Sequence, residues 1–249
     1  MDFILQYFAS SEVYGILLLS VFIGAITQSA IGIGFGIPGC VILLFDASLI
    51  PTSIVLMGTF VAFSNAFLSF KQIIKKDLIY SLTGRVVGTL IAAPIIMITV
   101  GTKYFMFIFG FMLLFIVPLS FFKWNIQASI KNVSIAGLFS GFLGTLTGVG
   151  GPPMGIVYQN SKSSRVVPTL NMFFGFGALF SVIVLWNIGL LNMIIAIKCL
   201  LLSPSVAIGI MLGRQKFVKD FVDIKFKTLI LIICILSALL VLGQAFINN

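Results

Sequence analysis

Two glycine-rich knots interrupt runs that are otherwise apolar enough to sit in a lipid bilayer. They are Gly32-Ile33-Gly34-Phe35-Gly36-Ile37-Pro38 and Gly148-Val149-Gly150-Gly151-Pro152-Pro153, and their first glycines lie 116 residues apart in a chain of 249. Glycine and proline break helices, and a break inside a bilayer leaves backbone polar groups unpaired. Lipid cannot satisfy those groups, so such breaks survive only where protein encloses them around a cavity. Matched breaks in two halves of a chain point to the binding site of a transporter.

The surrounding sequence fixes the solvent. Hydrophobic residues make up 60% of the chain and charged residues 8%, against roughly 25% charged in soluble domains. Mean hydropathy is +1.22. Apolar segments are read at about 13–31, 34–45, 51–70, 78–99, 103–122, 132–148, 151–160, 166–187, 190–212 and 227–246. The expected fold is all-α, a polytopic helical protein of the cell (inner) membrane. No cleavable signal peptide is expected, because Asp2 and Glu12, not a basic stretch, precede the first apolar run. No polar stretch is long enough for a fused enzyme or sensor domain.

Composition also removes function classes. Cys40, Cys199 and Cys234 all sit in apolar runs and read as small buried hydrophobes. Histidine is absent, which takes away the commonest metal ligand and the proton relay of neutral pH. No metal, no cofactor and no intramembrane enzyme chemistry is expected. The net charge of +9 comes from Lys and Arg flanking apolar runs, which is a signature of membrane topology, not of nucleic-acid binding.

If the chain reverses at each knot, its loops fall on two sides. One side collects Lys71, Lys75, Lys76, Lys123, Lys131, Lys162, Arg165, Arg214, Lys216, Lys219, Lys225 and Lys227; the other collects only Lys103. The positive-inside rule makes the twelve-residue side cytoplasmic and leaves both termini outside. The arms after the knots, Ile37 to Phe45 and Pro152 to Asn160, are too short to span: nine residues at ~1.5 Å each reach about 14 Å. They read as half-helices of re-entrant hairpins that meet near the midplane.

Each half, residues 1–125 and 126–249, then holds a glycine-broken helix pair and three further helices. An odd number of segments per half requires inverted topology, the repeat common in secondary transporters. Pro51-Thr52 and Pro168-Thr169 are expected to open the helices after the two knots, and Gly84-x-x-x-Gly88 and Gly209-x-x-x-Gly213 occupy corresponding later helices.

Pro38 and Pro152 suit the first helical turn, which puts both half-helix N-termini at the knots. A helix N-terminus presents unpaired N–H groups and about half a positive charge, and flanking glycines let a ligand reach the backbone. The glycines Gly32, Gly34, Gly36, Gly148, Gly150 and Gly151 are therefore candidate anion contacts. Thr27, Gln28, Ser29, Thr145 and Thr147 can donate to an oxyanion, although hydroxyls can equally bond back to their own helix. Asn65, Asn171, Tyr158 and Gln159 are further polar candidates. Arg85 and Lys198 lie about 12 Å into their helices by rise per residue, where charge marks function unless the side chain snorkels. No array of carboxylates answers either cation in sequence, so an anionic ligand is expected. Phe60, Phe63, Phe67, Phe173, Phe174 and Phe176 read as packing, not as part of a site.

The two glycine–proline motifs, the internal duplication, the length and the Gly209-x-x-x-Gly213-Arg214 ending of a late helix resemble the TauE/SafE family of sulfite and organosulfonate exporters. The resemblance covers essentially the whole chain. It implies transport of small sulfur-containing anions such as sulfite, thiosulfate and organosulfonates, or of related carboxylates and oxyanions. The expected function is a secondary carrier working by alternating access, with a passive anion channel as the alternative. The expected partners are a small anion and the lipid bilayer; a homodimer is left open.

Overall fold

The computed structural model describes residues 6–119, 126–161 and 163–221, together with 235, 238–240, 242, 243 and 246. Its helices are α1 (Ser11–Ile31), α2 (Ile37–Phe45), α3 (Thr52–Leu68), α4 (Lys75–Thr99), α5 (Lys103–Leu119), α6 (Ile130–Thr147), α7 (Gly151–Tyr158), α8 (Ser163–Asn187), α9 (Met193–Gly213) and α10 (Lys216–Phe221), with single 3₁₀ turns at Ala47–Leu49 and Phe70–Gln72. Among the described residues there is no strand. Ser11–Ile31, Lys75–Thr99, Ser164–Asn187 and Met193–Gly213 are long and apolar enough to cross a bilayer. Large apolar side chains such as Phe60, Met97, Ile98, Leu200 and Met211 cover the exterior. A surface of this kind is solvated by lipid and would drive aggregation in water. The chain is an all-helical, multi-pass membrane protein.

Local chemistry sets the two helices that lead into the knots. The Ser10 side chain accepts from Val13 N and the Ser129 side chain from Asn132 N, so each helix opens on a serine N-cap. Gly32 and Gly148 close them in the left-handed region, at φ 80° and 76°.

Several boundaries differ from those read in sequence. Pro168 lies inside α8, which begins at Ser163. The helix runs through it because Val166, Thr169 and Leu170 are buried, and packing outweighs one lost backbone bond. Pro51, by contrast, caps α3 as expected. Helix α4 starts at Lys75, three residues before the expected start, and the short α10 was not anticipated. Most of the expected segment 227–246, and the end of 103–122, fall outside the described residues.

Packing pairs elements across the two halves. Helix α4 lies against α6 and α1 against α9, while α3 lies against α8. In the α4–α6 seam a Cβ on Gly84 would overlap Ser134 O and one on Gly88 would overlap Leu138 O. In the α1–α9 seam Tyr14 Oη donates to Leu201 O and Ser205 Oγ to Leu18 O. Residue numbers rise together in both seams, so both pairs are parallel. Thr52 Oγ1 donates to Leu190 O, at the start of α3 and just past the end of α8; those two helices are antiparallel.

The same contacts gather the helix ends into two groups. Asp46, Thr52, Leu190 and Lys198 meet at one end of the bundle. At the other, Ile74 N donates to Thr169 Oγ1, Tyr158 Oη to Asp77, and Arg214 to Asn65 and Ser64.

Candidate functional site

The knots are built alike and touch. Gly36 caps α2 and Gly150 caps α7, each with a proline in the first helical turn. The first knot carries two more residues between its left-handed glycine and its cap, and Gly34 takes φ 128° to accommodate them. A Cβ on Gly36 would stand 2.5 Å from Gly148 O and 2.8 Å from Val149 Cα. A Cβ on Gly151 would overlap the Ile33 side chain. Only glycine lets two backbones approach this closely. The prolines carry no N–H, so the amides on offer come from the glycine side of each start, around Gly36 and around Gly150 and Gly151.

A cavity of about 50 Å³ opens where the knots meet. Gly34 and Gly36 line it from the first knot, and Gly148, Gly150 and Gly151 from the second. Gln28 and Arg85 supply its polar side chains, with Phe35, Ile54, Val55 and Phe174 as its apolar walls. Two helix N-termini and a guanidinium thus converge on one small space, and all three are electropositive.

Arg85 is 3% exposed. Its Nη1 donates to Ser140 O at 3.1 Å and Ser140 Oγ at 2.9 Å. Its Nε is buried without a hydrogen-bond partner among the described residues. The rings of Phe173 and Phe174 lie 5.2 and 5.6 Å from its Cζ, a cation–π arrangement. Among the described residues no carboxylate pairs with it.

Gln28 is a brace. Its Nε2 donates to Asn171 Oδ1 at 3.1 Å and its Oε1 accepts from Phe35 N at 3.3 Å, which ties the first knot to α8. The hydroxyls named from sequence do not line the cavity. Thr27 and Thr147 bond back to Ile23 O and Leu143 O, and Thr147 also accepts from Val149 N. Ser29 accepts from Asn65 Nδ2. Thr145 belongs to a buried cluster with Thr89, at 3.0 Å, and Ser181, at 2.8 Å. Gly32, Pro38 and Pro152 shape the knots from outside the cavity wall.

Lys198 corrects an expectation. It is ion-paired with Asp46, and the Phe8 ring lies 5.7 Å from its Nζ. The carboxylate that answers it comes 152 residues earlier, at the C-cap of α2, and no local pattern reveals that pairing. Phe174, read as packing, is part of the cavity. Ser140, which holds the guanidinium, was missed; a buried serine on a glycine-rich face carries no distinctive signal of its own. Among the described residues no three His, Cys, Asp or Glu side chains gather where a metal could be held.

The sulfite exporter TauE/SafE family model matches residues 16–241. The chain belongs to the TauE/SafE family. The match takes in both knots, Arg85 and every helix from α2 to α10. TauE/SafE membership makes this a membrane transporter. No curated protein and no solved structure matches the chain at a significant level.

Proposed function

We propose that the protein is a secondary carrier of small sulfur oxyanions, with sulfite as the type substrate, bound between the two half-helix N-termini beside Arg85. The observation that carries the reading is the guanidinium itself. A buried cation in a membrane protein is costly unless a counter-charge meets it, and Arg85 has none among the described residues. An anion in the cavity supplies that charge and accepts from the knot amides. The family description, a sulfite exporter, supports the same substrate class. A space of about 50 Å³ favours a small anion.

Alternating access follows from the architecture proposed for the halves. The reciprocal pairs α1–α9 and α4–α6, with α3 against α8, support two repeats of inverted topology whose broken helices share one central site. The basic ends of α4, α6, α8 and α9 are placed in the cytoplasm and the termini outside. Net anion export can then draw on the inside-negative potential, worth ~2.3 kcal/mol per charge per 100 mV.

The test is counterflow of labelled sulfite in proteoliposomes. Saturable counterflow is expected, weaker for bulkier sulfonates, and Arg85→Gln in folded protein should lower it by at least tenfold. Flux that neither saturates nor shows counterflow identifies a channel. Counterflow with carboxylates alone removes the sulfur assignment.

A further inference from the structure

We propose that Ser140 is a positioning residue that locks the Arg85 guanidinium so that one nitrogen, Nη2, meets the anion. This rests on the reading of the cavity as the anion site and extends it to the mode of recognition. Three sides of the guanidinium are already committed. Nη1 is held twice by Ser140, through its carbonyl and its hydroxyl. Nε is buried against Gly177, where a Cβ would overlap it. Phe173 and Phe174, whose ring centroids lie 5.0 Å apart, pack together against one side of the guanidinium. With both N–H groups of Nη1 used, Nη2 is the donor left beside the cavity: a Cβ on the cavity-lining Gly144 would approach Nη2 to 3.2 Å and Nη1 to 3.3 Å.

The Ser140 hydroxyl has a second duty. It donates to Gly150 O at 2.6 Å while accepting from Nη1. A single fully buried oxygen therefore fixes the guanidinium relative to the cap of α7. Charge and helix end are held in one geometry before any ligand arrives, which removes an ordering cost from binding. Eight residues before the left-handed glycine of the first half stands Gly24, where the second half has Ser140. The anion is thus gripped by one guanidinium nitrogen and by knot amides, in contrast to the two-pronged fork usual for arginine and oxyanions. Such a site reads charge and size and demands little of the arrangement of oxygens.

The chain's arginines are Arg85, Arg165 and Arg214, few enough for side-chain nitrogen NMR on the full protein in nanodiscs. With labelled arginine, Arg85 is expected to show distinct Nη1 and Nη2 signals, identified by their loss in Arg85→Lys. Titrated sulfite should move Nη2 and leave Nη1 in place. Ser140→Ala should merge the two signals and raise the sulfite Kd about tenfold, the scale of one hydrogen bond to a charged group. Ser140→Cys, close to serine in volume, should do the same and guards against a folding defect in the alanine variant. The proposal is overturned if sulfite shifts Nη1 and Nη2 alike, or if both variants leave the spectrum and the Kd unchanged. Sulfite that binds without moving any Arg85 signal overturns it at the root, because the anion site then lies elsewhere.

Discussion

Arg85 and Gly148 illustrate what single residues contribute. Arg85 stands out in sequence because a charge deep in an apolar helix is expensive, and the structure gives it aromatic cover and a serine but, among the described residues, no counter-ion. Gly148 combines a left-handed φ of 76° with a crowded site, where a Cβ would lie 2.5 Å from Ile54 Cγ2. Gly148→Ala is expected to cost roughly 2–3 kcal/mol, from left-handed strain and overpacking together. Gly15→Ala, on an open face of α1 with nothing within 4 Å, should be neutral or stabilising by a few tenths. Thermal unfolding of the two variants in one detergent checks the contrast. At this scale the sequence was legible where backbone chemistry decides. The glycines and prolines of both knots sit where helix-breaking logic puts them. It was less legible for hydroxyls: Thr27 and Thr147 satisfy themselves on their own helices, an option open to any threonine.

At the level of elements, the half-helices are anchored far from their N-termini. Asp46 at the end of α2 pairs with Lys198 of α9, and Tyr158 at the end of α7 donates to Asp77 of α4. Each tie joins a half-helix to a long helix from the other half. Asp46→Ala leaves the Lys198 ammonium largely buried without its partner and should destabilise the protein by about 3 kcal/mol. Adding Lys198→Met removes the stranded charge and should recover most of that loss. A double-mutant cycle in thermal unfolding measures the coupling, and additive effects would show that the pair contributes nothing. Helix existence was readable from apolar runs for every described helix except the short, charged α10. The start of α8 was not, because the burial of Val166 and Leu170 carries helix across Pro168, and burial is a tertiary quantity.

Across the whole molecule, the proposed orientation has a direct consequence. Lys71 and Thr102 lie in connections at opposite ends of α4. In intact cells, Thr102→Cys should react with a membrane-impermeant thiol reagent, and Lys71→Cys only after permeabilisation. The reverse pattern would invert the assignment of the faces; equal reactivity would remove the crossing of α4. The charge asymmetry behind this prediction needs only the order of residues, since loop composition is written directly into the chain.

The same division runs through the protein. Solvent, helical class, the two knots and the embedded arginine follow from sequence alone, because apolar composition, glycine and proline backbone preferences and the cost of a buried charge act on a residue and its near neighbours. The contact between the knots, the Ser140 lock on Arg85 across 55 positions and the Asp46–Lys198 pair across 152 were decided only by tertiary packing. Which polar groups meet depends on how close two helices can come, and that distance is set jointly by side chains far apart in the chain.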